Sequence, residues 1–184
     1  SQLKKTEHYR YFLERIENKY FCECSRSMIR KVRKDMVYPG TCQVKNISNG
    51  FGRFNIRMQI KSKEKLGIEN IRCDLNRDIG DFILWRKDDT PSYQFVSIIE
   101  DHNDKMTRII RGVDLLNSTF MQSCIAKELN LVSNHLSYFH HDLLMDNGQK
   151  VSKSVLKNNN ESLKDKMRKE EIYSLFLQWI GIDS

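Results

Sequence analysis

The stretch Ser92–Thr119, SYQFVSIIEDHNDKMTRIIRGVDLLNST, decides the fold because it contains three patterns in order. Its first part places one set of residues on a common helical face: Tyr93, Val96, Ile99 and His102. Thr107–Ile110 then predicts a short strand, and Arg111–Asp114 predicts a polar turn where that strand ends. Ligands bind at such turns in open α/β sheets. The stretch therefore predicts an α/β fold with a ligand site at the turn.

The composition of the 184-residue chain is typical of a protein that folds in water. Hydrophobic residues make up 39% and the mean hydropathy is −0.61, which allows one core or two small ones. No segment is apolar enough for a membrane span, and the polar N-terminal sequence SQLKKTEHYRYFLERI lacks the apolar centre of a secretory signal. We therefore expect a cytoplasmic protein.

The formal net charge of +7 and the isoelectric point of about 9.1 favour a polyanionic partner. Lysines and arginines crowd residues 4–34 and 150–169. Such residues also form ordinary solvated helical faces, so charge alone does not identify the partner.

Three of the five cysteines, Cys22, Cys24 and Cys42, fall within 21 residues. In a cytoplasmic protein such thiols are reduced or metal-bound. Thiolates suit tetrahedral Zn²⁺, and the fourth ligand could be Tyr38, a carboxylate or water. Small buried cysteines explain the spacing equally well. Cys73 and Cys124 have no partner at metal spacing and are interpreted as core residues.

Periodicity predicts the remaining elements. Helices are expected at residues 2–20, 27–36 (capped by Ser25 or Ser27), 118–129 (with a capped start) and 161–182, and β-structure at 54–60, 68–75, 81–85 and 137–145. A tight turn is expected at residues 146–149.

Three motifs follow one another along the chain: GDFILWRKDDTPSYQ at Gly80–Gln94, RGVD at Arg111–Asp114 and KVSKS at Lys150–Ser154. Together they resemble the second half of the catalytic domain of class I glutamyl-tRNA synthetases and of the shorter glutamyl-queuosine tRNA(Asp) synthetases, in which KVSKS is similar to the KMSKS loop. The resemblance implies half of a Rossmann-type domain with an inserted zinc-containing α+β subdomain. It places the acceptor-end-contacting insertion at residues 1–76, the rest of the catalytic domain at 77–149, and the KMSKS-like loop with a C-terminal helical segment at 150–184.

The resemblance also implies a glutamate site at Tyr93 and Arg111. An arginine fork holds a carboxylate with two hydrogen bonds, and a tyrosine supplies a hydroxyl and an aromatic wall. Without the resemblance, a core tyrosine and a surface arginine are the simpler interpretation. Asp114 resembles the family's acidic residue near the adenylate, and it would also suit the N-cap of the following helix.

The KMSKS-like loop is expected to bind ATP through Ser152 and Lys153. Lys150 and Lys153 are the predicted catalytic residues, because two ammonium groups on a loop stabilise charge on departing pyrophosphate. The family's zinc pattern, C-x-C followed by Y-x-x-x-C, falls on four residues: Cys22, Cys24, Tyr38 and Cys42. That zinc would be structural.

No segment matches the HIGH signature, which the family carries in its other half, and no anticodon-binding region follows the tail. We therefore expect a fragment, inactive alone, of a monomeric enzyme that activates glutamate with ATP and Mg²⁺ and transfers it to the queuosine base of tRNA(Asp). One alternative is a truncated glutamyl-tRNA synthetase that charges tRNA(Glu). A second is a non-catalytic, zinc-stapled RNA-binding paralogue.

Overall fold

The computed structural model describes residues 5–45, 47, 50–61, 65–131, 136–143, 145–146, 149–150, 168–171 and 173–174. The chain forms two compact units, Ser1–His141 and Asp142–Ser184. The described elements of the first unit are α1 (Thr6–Glu14), β1 (Lys19–Cys22), α2 (Arg26–Val32), β2 (Asn55–Met58), β3 (Lys65–Ile68), β4 (Ile71–Asp74), a π-helical turn (Leu75–Ile79), β5 (Phe82–Trp85), α3 (Tyr93–Asn103), β6 (Arg108–Gly112), a 3₁₀ turn (Val113–Leu115), α4 (Leu116–Glu128) and β7 (Ser137–His141). In the second unit, β8 (Met145–Asp146) and β9 (Gln149–Lys150) form a hairpin.

An antiparallel sheet of order β1-β2-β5 forms the centre of the first unit. The predicted strands at residues 54–60 and 81–85 are confirmed. The helix expected over residues 2–20 is wrong at its end, because α1 stops at Glu14 and Tyr20 lies in β1 opposite Arg57. The Tyr20 hydroxyl donates to the Asp81 carboxylate, which holds this residue on the sheet.

Helix α2 begins at the predicted N-cap, since the Ser25 hydroxyl accepts from the Met28 amide at 3.2 Å. The helix is shorter than expected, and of its apolar residues only Ile29 is buried, whereas Met28 and Val32 are exposed. A two-turn helix that packs on one side buries only a narrow stripe of its surface.

Strands β6 and β7 pair in parallel, with Arg111 opposite His140. Side chains alternate between the two faces of such a pair. Arg111 and the His140 side chain are buried on one face, whereas Ile110 and Phe139, also opposite each other, are 65% and 57% exposed on the other. This pair and the flanking helices α3 and α4 confirm the predicted α/β content.

Two details of the opening stretch differ from the sequence pattern. Helix α3 buries Val96 and Ile99 as expected, but Tyr93 is 55% exposed and His102 is exposed. Helix α4 starts at Leu116 rather than Ser118, and its N-cap is Leu115, without a capping side chain. The 3₁₀ turn runs directly into α4, so the helix begins before Ser118.

One hydrophobic core joins α1, the antiparallel sheet, α3 and α4. Its most deeply buried members include Tyr9, Leu13, Ile16, Leu84, Trp85, Phe95, Ile98, Ile99, Phe120 and Ile125. Cys73 and Cys124 are buried in the same core, as predicted. Among the described residues, no helix combines the length and the apolarity that a bilayer crossing requires.

Candidate functional site

Four side chains meet in a buried group, the cysteine cluster: Cys22, Cys24, Tyr38 and Cys42. Cys22 ends β1, Cys24 lies just before α2, and the loop after α2 returns Tyr38 and Cys42 to them. The three Sγ atoms lie within 4.8 Å of one another. The Tyr38 hydroxyl oxygen lies 3.2 Å from the sulfur of Cys22 and 3.5 Å from that of Cys24. The structure therefore brings together all four predicted metal ligands.

The donor set of the cysteine cluster fits a tetrahedral zinc ion. Zinc–sulfur bonds of about 2.3 Å and zinc–oxygen bonds of about 2.0 Å place tetrahedral ligand atoms roughly 3.5–3.8 Å apart. The Cys24 and Cys42 sulfurs are 3.5 Å apart, and both sulfur–hydroxyl distances are in or near that range. The separations require little rearrangement for all four atoms to contact one ion.

Acid–base properties differ among the members of the cysteine cluster. Burial raises the pKa of the Cys24 thiol to about 11. Burial also acts to raise the pKa of Cys42, but the hydrogen bonds from Tyr38 and from a backbone amide outweigh it, so the Cys42 pKa is lowered. Burial raises the pKa of the Tyr38 hydroxyl. A cation at this position would offset the cost of burying thiolates.

Arg57 on β2 packs against the Tyr38 ring of the cysteine cluster. Its guanidinium carbon lies 3.8 Å from the centre of the Tyr38 ring, and its Nη1 donates to the Asp81 carbonyl at 2.9 Å. The Asp81 carboxylate in turn accepts from Tyr20 and Gln43. This network fixes the Tyr38 ring with respect to the central sheet.

Gly80 allows the Tyr38 loop to approach β5. Tyr38 forms a β-bridge with Gly80, whose φ is +64°. A Cβ at Gly80 would lie 2.6 Å from the Val37 side chain and 3.2 Å from the Tyr38 carbonyl oxygen. Only glycine combines this backbone conformation with this close contact.

A cavity of about 590 Å³ lies beside the cysteine cluster, with Cys22 and Cys24 on one wall. Tyr93 at the start of α3 lines the cavity too, as does Arg57. The exposed Tyr93 ring is thus available to a ligand.

A second buried polar group, the arginine centre, consists of Arg111, Gln122 and Tyr138. Arg111 on β6 is 8% exposed, and its Nη2 donates to Gln122 Oε1 on α4 at 2.7 Å. Its guanidinium carbon lies 4.9 Å from the centre of the Tyr138 ring on β7. The Nε and Nη1 atoms of Arg111 have no hydrogen-bond partner among the described protein groups. A buried guanidinium with spare donors is suited to an anion.

His140 lies next to Arg111 across the strand pair and joins three elements. Its Nδ1 and its backbone amide lie 3.0 and 2.9 Å from Glu69 Oε1 in the β3–β4 turn. Its Nε2 is hydrogen bonded to the Thr119 hydroxyl on α4 at 2.8 Å. The parallel pair is therefore anchored to both the hairpin and α4.

The sequence between residues 4 and 182 matches the model of the family described as tRNA synthetases class I (E and Q), catalytic domain. The chain belongs to this family. The predicted resemblance is therefore confirmed, and the α/β fold is that of the class I synthetase catalytic domain.

Several class I synthetases are similar to the chain in sequence. A glutamyl-Q tRNA(Asp) synthetase of Synechococcus sp. is 31% identical over 177 residues, covering 84% of this chain and 55% of the relative. Another, of Acinetobacter baylyi, is 34% identical over 141 residues, covering 73% of the chain and 45% of the relative. A glutamate–tRNA ligase of Vesicomyosocius okutanii is 28% identical over 167 residues, covering 83% of this chain and 35% of the relative. The chain spans about half the length of the first two relatives.

A solved glutamate-tRNA synthetase of Elizabethkingia anophelis superposes with a TM-score of 0.65 at 18% identity. The match covers 85% of this chain and 37% of that structure. It supports the synthetase fold.

The remaining motif residues of the synthetase pattern are placed as follows. Asp114 lies exposed in the 3₁₀ turn after β6. Lys150 is in β9 of the second unit, and Ser152 and Lys153 lie outside the described residues. The roles assigned to these residues, to Tyr93 and to Arg111 stay predictions.

Nothing in the sequence indicated that Gln122 belongs to the arginine centre or that Arg57 contacts the cysteine cluster. Gln122 sits inside α4, where a glutamine is typical of an exposed surface, yet it is fully buried. Arg57 occupies a strand position that would also suit a solvent-facing residue. A buried polar residue opposite a charged one is visible only once the elements are packed.

Proposed function

We propose that this chain is part of an enzyme that activates glutamate with Mg²⁺-bound ATP and transfers it to the queuosine base of tRNA(Asp). Family membership and the glutamate-related names of the similar proteins support the reaction class. The acceptor is proposed from the zinc-ligand pattern and from the two relatives named glutamyl-Q tRNA(Asp) synthetases.

The observation that carries the proposal is the arginine centre. A guanidinium that is buried without an ion-pairing acid is costly unless an anion accompanies it. Arg111 is buried and its Nε and Nη1 lack protein partners, as a carboxylate-binding residue requires. Burial raises the pKa of the neighbouring Asp101, although the Arg111 charge acts to lower it. We assign the place beside Nε and Nη1 of Arg111 to the substrate's carboxylate.

Tyr93 would contribute the hydroxyl and aromatic wall of the glutamate site. Its ring at the start of α3 is 55% exposed and therefore accessible to a ligand. Asp114 would lie near the adenylate at the end of β6. Lys150 and Lys153 would stabilise the departing pyrophosphate, and Ser152 would bind the nucleotide.

The cysteine cluster would hold a structural zinc ion through Cys22, Cys24, Tyr38 and Cys42. The ion would supply folding free energy to a segment whose own cluster contains few apolar side chains. We further propose that residues 1–76 form the acceptor-contacting insertion, 77–149 the catalytic remainder and 150–184 the KMSKS-like loop with its helical segment. The enzyme would act as a cytoplasmic monomer.

The decisive experiment measures glutamate transfer by the full-length protein. Radiolabelled glutamate and ATP are incubated with tRNA(Asp) carrying queuosine, with tRNA(Asp) lacking it, and with tRNA(Glu). We expect label only on the queuosine-containing tRNA(Asp). Label on tRNA(Glu) instead would establish a glutamyl-tRNA synthetase. Failure to label any of the three RNAs, together with no glutamate-dependent ATP–pyrophosphate exchange, would replace the proposal by a non-catalytic RNA-binding protein.

A further inference from the structure

Three hydrogen-bond donors in the arginine centre are buried without a partner among the described protein groups. They are Nε and Nη1 of Arg111 and Nε2 of Gln122. Gln122 is fully buried, and Arg111 is more than nine-tenths buried. Each unpaired buried donor costs free energy, so three in one place call for a ligand that only accepts hydrogen bonds.

The contact with Arg111 fixes the orientation of the Gln122 amide. An amide group can be turned over so that its oxygen and nitrogen exchange places, and hydrogen bonds decide which orientation holds. Arginine has five donors and no acceptor. Gln122 must therefore direct Oε1 at Arg111 Nη2, as the 2.7 Å contact shows, and Nε2 is left as a further donor.

The protein surroundings keep this arrangement rigid. Thr119 lies three residues before Gln122 on α4, is fully buried, and is hydrogen bonded to His140 at 2.8 Å. Arg111 is opposite His140 in the strand register and stacks on Tyr138. Two contacts thus tie α4 to neighbouring positions of the strand pair, and turning Gln122 away would break one of them.

We propose that Gln122 is a specificity-determining residue that donates Nε2–H to the same substrate carboxylate that Arg111 binds. This inference rests on the proposed function and adds the means by which the site selects its substrate. A carboxylate offers only acceptors, which match a set of donors. A carboxamide would direct its own NH₂ group at one of these donors and leave it unpaired. The site therefore prefers glutamate to glutamine.

The first test needs no catalysis. The side-chain N–H signals of Arg111 and Gln122 are assigned in ¹⁵N-labelled protein by comparison with Arg111→Lys and Gln122→Met. Glutarate, which has two carboxylates and no amino group, is then titrated into the wild type, with glutaramide as the uncharged control. We expect glutarate to shift both signals together and glutaramide to shift neither. A glutarate-dependent shift at Arg111 without one at Gln122 would overturn the inference.

The second test measures the KM for glutamate and for glutamine in ATP–pyrophosphate exchange by the full-length protein. Gln122→Met keeps the side-chain length and removes the donor, so we expect the glutamate KM to rise roughly tenfold to a hundredfold and the preference for glutamate to shrink. Gln122→Glu places an acceptor where the donor was and should impair glutamate use further. Gln59→Met is the control, because Gln59 follows β2 and lies outside both the cysteine cluster and the arginine centre.

The outcomes separate the two proposals. An unchanged KM and an unchanged preference in folded Gln122→Met would refute the role of Gln122 while leaving the function in place. No glutamate transfer to tRNA and no exchange by the wild type, but coupled shifts with glutarate, would refute the function and keep the carboxylate site. If glutarate shifts neither signal, Gln122 is a purely structural residue and the inference fails, whatever the variants do.

Discussion

The cysteine cluster and the arginine centre are both buried polar groups, but they are satisfied in different ways. In the cluster, the Tyr38 hydroxyl contacts two thiols and accepts from the Cys42 amide at 2.9 Å, so its members are partners of one another. In the centre, donors exceed acceptors and three donors have no described protein partner. The first arrangement can support the fold with a cation of its own, whereas we propose that the second is completed by an anion from outside.

The largest expected effect is on the metal. Cys24→Ser removes a thiolate from the cysteine cluster, and structural zinc can contribute on the order of 10 kcal/mol to folding. We expect the variant to lose most of its bound zinc and to unfold at markedly lower denaturant concentration. Elemental analysis and urea unfolding measure both effects.

Cys124→Ser is the matched control for Cys24→Ser, because Cys124 is buried on α4 outside the cysteine cluster. Its zinc content should equal that of the wild type. Equal zinc in Cys24→Ser and in the wild type would remove Cys24 from the ligand set.

The next effect concerns the arginine centre. Arg111→Ala deletes the buried guanidinium, and truncating one partner of a buried charge pair costs about 2–5 kcal/mol. We therefore expect the glutamate KM of the full-length protein to rise by roughly a hundredfold or more. Arg108→Ala on the same strand changes an exposed residue and should leave the KM unchanged. A glutamate KM in Arg111→Ala that matched the wild type would exclude Arg111 from the site.

A smaller effect is expected at the contact that supports the arginine centre. Glu69→Ala removes the acceptor for both the ring and the backbone amide of His140. Leaving buried donors unpaired costs about 1–3 kcal/mol, so the free energy of unfolding should fall by about that amount. Urea unfolding measures it, with Arg72→Ala in the same hairpin as the exposed control. A loss no larger than that of Arg72→Ala would show that the hairpin does not support β7.

The smallest effect is a pH dependence. Burial raises the pKa of Tyr138 to about 12, although the Arg111 charge acts to lower it. The neutral Tyr138 side chain therefore contributes fully to the folding stability below the ordinary tyrosine pKa of about 10. That contribution is lost as the pH rises through about 12. We expect Tyr138→Phe to weaken the decline of the unfolding free energy across that window. Tyr11→Phe, at an exposed tyrosine, is the control, and equal slopes in both variants would contradict the prediction.

The cysteine cluster could be predicted from the sequence because its members are close along the chain and their spacing is specific. The family pattern named all four residues, and the structure places them together. Strands β2 and β5 could likewise be predicted, since alternating apolar and polar residues and β-branched side chains indicate a half-buried strand. Ser25, one of the two residues predicted to cap α2, accepts the capping hydrogen bond.

The arginine centre could be predicted from the sequence only in part, because its members come from β6, α4 and β7. Arg111 was found through the family motif, but Gln122 lies in a helix whose polar residues do not form a separate face. Tyr20 was assigned to a helix because its spacing continues the stripe of α1, yet its hydroxyl pairs with Asp81, some 61 residues away. Contacts of that range depend on packing, which local periodicity does not encode.

The contact between Glu69 and His140 has a consequence for the order of folding. It joins residues 71 positions apart, so it closes a long loop and carries a large entropic cost until the intervening chain is ordered. Contacts of this kind form late, after local elements such as the β3–β4 hairpin and α4. Register between β6 and β7 would then be set near the end of folding, and the surroundings of Arg111 would be among the last parts of the molecule to become ordered.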